Sequence, residues 1–263
     1  LTDPTATTST RHAYVETPEG WNPLSARGPG GFVTGVTYRQ PSGATVDWES
    51  RPHRKQAAPT RETRDTKPAT WWVPTAIGWW IGVLIMVGSA CFALGALPGY
   101  LDAVGGTADG VTYFVGSIFF TSAALLQYIE VVNTSRAVDG VPNSRRRYLT
   151  PEPHRIDWWA GAVQLVGTLF FNRSTFFALV SNASTAQIDR YVWRPDALGS
   201  ICFLVASQLA FAEVGHAWIS WRPRVLSWWI TALNMLGSVA FGVSAVAAYV
   251  VPDSGTLKNA ELA

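Results

Sequence analysis
Glu213 and His216 form a Glu-x-x-His motif. On a helix, residues three apart share one face, and this pairing supplies ligands in di-iron bundles. Glu130, His154 and Asp157 are expected at the same membrane level. The five could therefore make a polar or metal site on the inner face. A complete di-iron set needs two such motifs and two further glutamates, and the chain has one motif. Haem fits less well, because only two histidines fall near the membrane and neither is deep. Beyond a metal at that face, no cofactor is expected. The plainer expectation treats Glu130 and Glu213 as surface carboxylates paired with Arg145, Arg146, Arg147 or Arg222.

Arg173 stands in Phe171-Asn172-Arg173-Ser174, about 22 Å from the inner end of its helix at the helical rise. It is expected to snorkel to outer lipid phosphates, or to pair with Asp102, Asp109 or Asp196. Contact with an anionic substrate is the alternative. Cys91 and Cys202 both lie in apolar stretches, which excludes a disulfide scaffold. The chain has no Walker A loop, Gly-x-Ser-x-Gly elbow or His-Glu-x-x-His motif. No catalytic residue is assigned, and no enzyme is expected.

The elements that carry these residues follow from composition. Of 263 residues, 48% are hydrophobic and 14% charged, well under the quarter or so usual in soluble domains. The charge is uneven. Residues 1–70 are polar, and apolar segments recur at about 79–98, 110–132, 158–180, 196–219 and 227–251. Each is long enough to cross roughly 30 Å of hydrocarbon as a helix. A simple soluble globular protein is excluded. The net charge of +2 gives no reason to expect nucleic acid binding, and residues 1–10 lack the pattern of a secretory signal.

The predicted fold is therefore all-α and membrane-embedded. A polar tail (1–70) precedes five transmembrane helices (71–251), and a short outer tail (252–263) follows. Residues 1–30 read as disordered. Residues 32–39 and 44–49 read as a β-hairpin around Gln40-Pro41-Ser42-Gly43, and residues 50–70 as a solvated linker. A lone hairpin is marginal in water, so it would have to dock on something. Sixteen of the twenty Lys and Arg residues fall inside if the N-terminus is cytoplasmic. The positive-inside rule thus places the N-terminus in the cytoplasm and the C-terminus outside.

Self-similarity is the strongest signal. Each helix carries an aliphatic residue, Gly, then Ser or Thr: Gly88-Ser89, Gly116-Ser117, Gly167-Thr168, Gly199-Ser200 and Gly237-Ser238. Phe follows four residues after each Gly, at 92, 120, 171, 203 and 241. The odd helices add a tryptophan pair whose second member lies eight before the Gly: Trp79-Trp80, Trp158-Trp159 and Trp228-Trp229. The even helices add Glu130 and Glu213, fourteen after the Gly. Helices 1–2 and 3–4 read as tandem copies of one helical hairpin, and helix 5 as half a copy. Gly-Ser/Thr lets helices approach closely. The tryptophan pairs suit the interface, with the indole N–H in water and the ring in lipid. Trp71-Trp72 reads as an interfacial lead-in to helix 1.

The run from Gly110 to Glu130 (GVTYFVGSIFFTSAALLQYIE) resembles the YrhK-like domain, a small bacterial membrane module. Arg194 to Val205 (RPDALGSICFLV) is similar to its larger multi-pass relatives. The resemblance spans about residues 71–251 and implies a helical fold in a bacterial plasma membrane. It carries over no catalytic residue.

These readings lead to a non-enzymatic membrane scaffold or accessory subunit. It is expected to contact lipid and to assemble through its Gly-Ser/Thr faces, as a homo-oligomer or within a larger membrane complex. The alternatives are a small transporter or channel, and a metal-binding enzyme at the inner face.

Overall fold
The structure, a computed structural model, describes Val15 and residues 17–55, 72–134, 147–180 and 184–249. Trp71, Arg136, Arg145, Arg146, Asn182 and the 252–263 tail lie outside the described residues. Three strands run in order: β1 (Asn22–Arg27), β2 (Gly35–Arg39) and β3 (Thr45–Glu49). A short helix, α1 (Ser50–Arg54), follows directly. Among the described residues, five helices are long and apolar enough to cross a membrane. They are α2 (Ile77–Gly95), α4 (Gly106–Asn133), α5 (Ile156–Val180), α6 (Ala186–Gly215) and α7 (Leu226–Ala247). The short α3 (Tyr100–Val104) precedes α4. The chain is thus a multi-pass membrane protein. Leu233, Leu236, Val243 and Val246 on α7 remain exposed, as lipid-facing positions must be.

The chain forms two compact units. The polar unit comprises residues 1–73, 129–160 and 208–232. Its sheet is antiparallel in the order β1-β2-β3. Val36 pairs with Trp48 and Tyr38 with Val46, so alternate residues of β2 share a face with their β3 partners. Val36, Tyr38 and Trp48 bury that face together with Val15 and Val33. The turn closes with Gly43 at φ +85°, where only glycine is unstrained.

Two differences from expectation occur here. Residues 22–27 form an edge strand instead of disorder. Their polar Asn-Pro-Leu-Ser sequence carries little β signal and stays mostly exposed, so the pairing with β2 specifies the strand. Pro23 has no N–H to donate, and the register slips between Pro23 and Ser25; both features belong at an edge. Residues 50–54, expected as linker, are helical.

The apolar unit comprises residues 74–128, 161–207 and 233–263. The repeat glycines act in reciprocal pairs there. A Cβ on Gly116 would stand 2.8 Å from the Phe92 ring, and one on Gly88 would stand 3.3 Å from Phe120. Gly199 faces Phe171 at 2.8 Å, and Gly167 faces Phe203 at 2.9 Å. Each hairpin therefore crosses at its glycines and exchanges phenylalanines. Cys91 and Cys202 take matching places, each with its Cβ 2.9 Å from where Gly116 or Gly167 would carry one. The five repeat phenylalanines join in one ring cluster. Phe171 lies 5.2 Å from both Phe203 and Phe241, and Phe92 lies 5.4 Å from Phe120 and 6.1 Å from Phe241.

The repeat hydroxyls bond within and between helices. Ser117 donates to the Phe114 carbonyl at 2.7 Å and stands 3.0 Å from Thr175 Oγ1. Thr168 donates to Leu165 at 2.7 Å. Ser200 reaches the Phe241 carbonyl at 3.4 Å, and Ser238 lies 2.6 Å from Ser207. Ser89 instead stays exposed. Gly237 also differs: a Cβ there would meet nothing within 4 Å. Four repeat glycines are thus taken up inside the chain, and the glycine of the half copy is open.

Candidate functional site
The candidate site belongs to the polar unit and starts with the leads into the odd helices. Trp159 Nε1 donates to the carbonyl of Pro153 at 2.9 Å, and Trp229 Nε1 to that of Pro223 at 2.8 Å. In the apolar unit, Trp80 Nε1 donates to Pro74 at 3.0 Å. The repeat is therefore Pro-x5-Trp. The first tryptophans reach further back, Trp158 to Thr150 and Trp228 to Ser220, each at 3.1 Å. Trp79 packs edge-on against Trp80, with ring centroids 4.9 Å apart. These indole N–H groups bond to the chain's own carbonyls, where water had been expected, and so fix each helix start. The outer rings of Trp80, Trp159 and Trp229 remain exposed.

That lead places Asp157 in the first turn of α5. Glu213 stands in the last turn of α6 and Glu130 in the last turn of α4. All three are buried. Carboxylates so placed need cations, and α1 supplies them. Arg54 Nη1 lies 2.8 Å from Glu213 Oε1 and Nη2 lies 3.0 Å from Oε2, a bidentate grip. The same Nη1 lies 2.6 Å from Asp157 Oδ2. Ser50 Oγ donates to Glu213 Oε1 at 2.6 Å. The next residue, Lys55, bonds Glu130 through Nζ. Two adjacent cations thus take the two repeat-equivalent glutamates.

The network extends along the lead into α5. Arg155 donates to both Asp157 oxygens, at 3.0 and 2.6 Å, and to Glu152 at 2.6 Å. Arg147 completes it 3.5 Å from Glu152. Burial opposes the charge on Arg54, but Glu213 and Asp157 outweigh it and hold the guanidinium above its ordinary range. Arg155 is likewise raised against burial by Asp157 and Glu152. For Lys55 burial wins over Glu130, and its pKa is lowered.

His216 ends α6. It is a non-glycine residue at φ 56°, the left-handed conformation that commonly closes a helix. Its ring bonds two strand-side groups: Nδ1 lies 2.8 Å from Thr34 Oγ1, and Nε2 lies 3.2 Å from Glu49 Oε1. The bond from His216 holds the Glu49 carboxyl below its usual value despite partial burial. Arg222 caps the same helix end by donating to the Val214 carbonyl at 2.9 Å.

The five residues expected as a polar or metal site divide among these partners. Glu213 and Asp157 share Arg54, Glu130 takes Lys55, and His216 turns to Thr34 and Glu49. His154 is half-buried. Among the described residues, no three His, Cys, Asp or Glu side chains are grouped to hold a metal ion. An arginine occupies the centre instead. Of the expected partners of the glutamates, the two that are described go elsewhere, Arg147 to Glu152 and Arg222 to a carbonyl. Sequence reasoning missed Arg54, Lys55, Ser50 and Thr34. The available signal was two buried-end glutamates in register and two consecutive cations just after β3.

In the apolar unit Arg173 lies over the rings of Phe177 and Tyr191, at 5.2 and 5.6 Å. This is cation–π contact. Among the described residues Asp102, Asp109 and Asp196 form no ion pair with it. Compared with models of known families, with curated proteins and with solved structures, the chain matches none.

Proposed function
We propose that this protein is a non-enzymatic scaffold or accessory subunit of a bacterial inner membrane. Its folded N-terminal sheet faces the cytoplasm and serves a partner there, and the C-terminus lies outside. The sheet and α1 are the docked element, and the helix ends that carry Glu130, Asp157 and Glu213 are its seat. The kinship with YrhK-like membrane modules is part of the same proposal.

The observation that carries the reading is the bidentate Arg54–Glu213 pair with Asp157 beside it. Catalytic or proton-carrying carboxylates must be free to change charge state. Here the buried carboxylates are neutralised and hydrogen-bonded by cations of the tail, an arrangement suited to holding a fixed geometry. A buried ion network specifies one arrangement more than it adds stability.

The test is purification in mild detergent with mass measurement of the particle. The expected result is a second copy or another chain at fixed ratio, lost in Arg54→Ala while the helical content stays. A wild-type particle holding one chain of 28.6 kDa and nothing else would overturn the proposal.

A further inference from the structure
The apolar unit carries a half-open pocket of about 220 Å³. Four of the clustered phenylalanines line it, Phe120, Phe171, Phe203 and Phe241, together with Gln164, Asn234 and Gly237. Gln164 and Asn234 each lie three residues before a repeat glycine, so both stand about 12 Å into their helices. Both are carboxamides at a depth where lipid offers no hydrogen bonds. Asn234 donates through Nδ2 to Ser207 Oγ at 2.7 Å. Among the described residues its Oδ1 receives no hydrogen bond, and the Gln164 carboxamide has no hydrogen-bond partner. No ionisable residue lines the cavity, so its occupant is uncharged.

We propose that this cavity is a binding site for a small neutral amphiphile, an aromatic or similarly flat body carrying a hydroxyl or carbonyl oxygen. The ring cluster receives the body by edge and face contacts. The free amide group of Gln164 and the Oδ1 of Asn234 take the oxygen and its proton. A purely apolar occupant would leave those amides unsatisfied, and an anion would meet no cation. The volume is ample, since an apolar cavity of roughly 150 Å³ admits benzene. The open space at Gly237, where a side chain would touch nothing within 4 Å, is part of the same wall. The half copy of the repeat thus supplies a vacancy that a complete hairpin would fill with its own phenylalanine.

Matched fluorine probes test this. The full chain in nanodiscs is titrated with 4-fluorophenol and with 4-fluorotoluene, read by fluorine NMR against empty nanodiscs. The expected result is saturable binding of the phenol, about tenfold tighter than of the toluene, the worth of one hydrogen bond to a partnerless amide. Gln164→Leu should bring the two probes to equal affinity. Gly237→Leu should remove saturable binding of both. If Gln164→Leu does not yield a folded particle, Asn234→Leu provides the same comparison. Equal binding of the probes by the wild type, or no saturable phenol binding, would overturn the proposal. So would retained phenol preference in a folded Gln164→Leu protein. A disulfide between copies through Gly237→Cys, joined with loss of phenol binding in the wild type, would assign the cavity to a second chain and also overturn it.

Discussion

Glu130 and Glu213 lie fourteen residues after equivalent glycines in two copies of one hairpin, and two consecutive residues, Lys55 and Arg54 at the end of α1, bind them. The copies differ in how tightly they are held. Glu213 receives both guanidinium nitrogens and a serine hydroxyl. Glu130 receives one ammonium, on a lysine side chain one-third exposed. The second copy also has Asp157 at the start of its first helix, where the other odd helices carry Gly78 and Ser227. The repeat spacing gives both glutamates one register, and the second copy is the more tightly held anchor.

Removing Arg54 should therefore cost more than removing Lys55. Arg54→Met leaves Glu213 and Asp157 buried with one cation fewer, a loss of about 3–5 kcal/mol for a broken buried pair. Adding Glu213→Gln to that variant should recover part of the loss. Lys55→Met should cost less, about 1–2 kcal/mol, because the Lys55 side chain is one-third exposed and water can reach the carboxylate it leaves. Denaturant unfolding in detergent, followed by tryptophan emission, measures all three. Equal losses for Arg54→Met and Lys55→Met would contradict the assignment.

The glycine crossings predict a split among chemically identical changes. Gly116→Ala and Gly199→Ala drive a methyl to within 2.8 Å of a phenyl ring, which should cost about 1–3 kcal/mol as overpacking does. Gly237→Ala meets nothing within 4 Å and should stay within about 0.5 kcal/mol of wild type. Thermal melting of the three variants in one detergent is sufficient.

Acid should loosen the His216–Glu49 contact. The Glu49 carboxyl titrates below its ordinary value of 4.5 in the folded chain. Its contribution is present above that value and fades as the pH falls through the lowered one. Glu49→Gln should thus flatten the drop in melting temperature below about pH 4.5. A wild-type acid limb in that variant would assign the drop to other carboxylates.

The Pro-x5-Trp bonds predict that Trp159→Phe and Trp229→Phe each cost about 1 kcal/mol, the worth of one neutral hydrogen bond. A phenyl ring remains, and the N–H donor is lost with the pyrrole part of the indole. If the indole merely anchored in the interface, melting should be insensitive to the carbonyl it bonds. Hydrogen exchange at the first turns of α5 and α7 should therefore rise in these variants if the bonds fix the helix starts.

The helices were legible because apolar runs of about twenty residues have one cheap solution in lipid. Their ends were less so. Helix α6 starts ten residues before the apolar signal does, since Asp189 and Arg194 pair across a π-helical turn, 2.8 Å apart, and hide polar residues within it. It ends at Gly215, because His216 turns left-handed to reach Thr34. The glycine–phenylalanine spacing identified the crossing points, but which helix supplied each phenylalanine needed coordinates. The cations of the site were hidden for a different reason. Arg54 and Lys55 stand among prolines, threonines and other basic residues, a composition typical of solvated chain, and their partners lie 103, 159 and 75 residues away. No local pattern encodes a pairing at that range.

That range has a consequence for biogenesis. The strands and α1 leave the ribosome before the five helices, yet Arg54 meets Glu213 only after 159 more residues have been made. By then four of the five helices have been synthesised. Until that moment the arginine is a solvated cation on an unanchored segment, and the glutamate has no counter-charge. Closing the pair requires the end of α6 to lie on the tail's side of the bilayer, and the Lys55–Glu130 pair requires the same of α4. A second hairpin threaded the other way would leave Arg54 and Glu213 on opposite sides of the bilayer, so this one ion pair ties the topology of the whole chain to the docking of its tail.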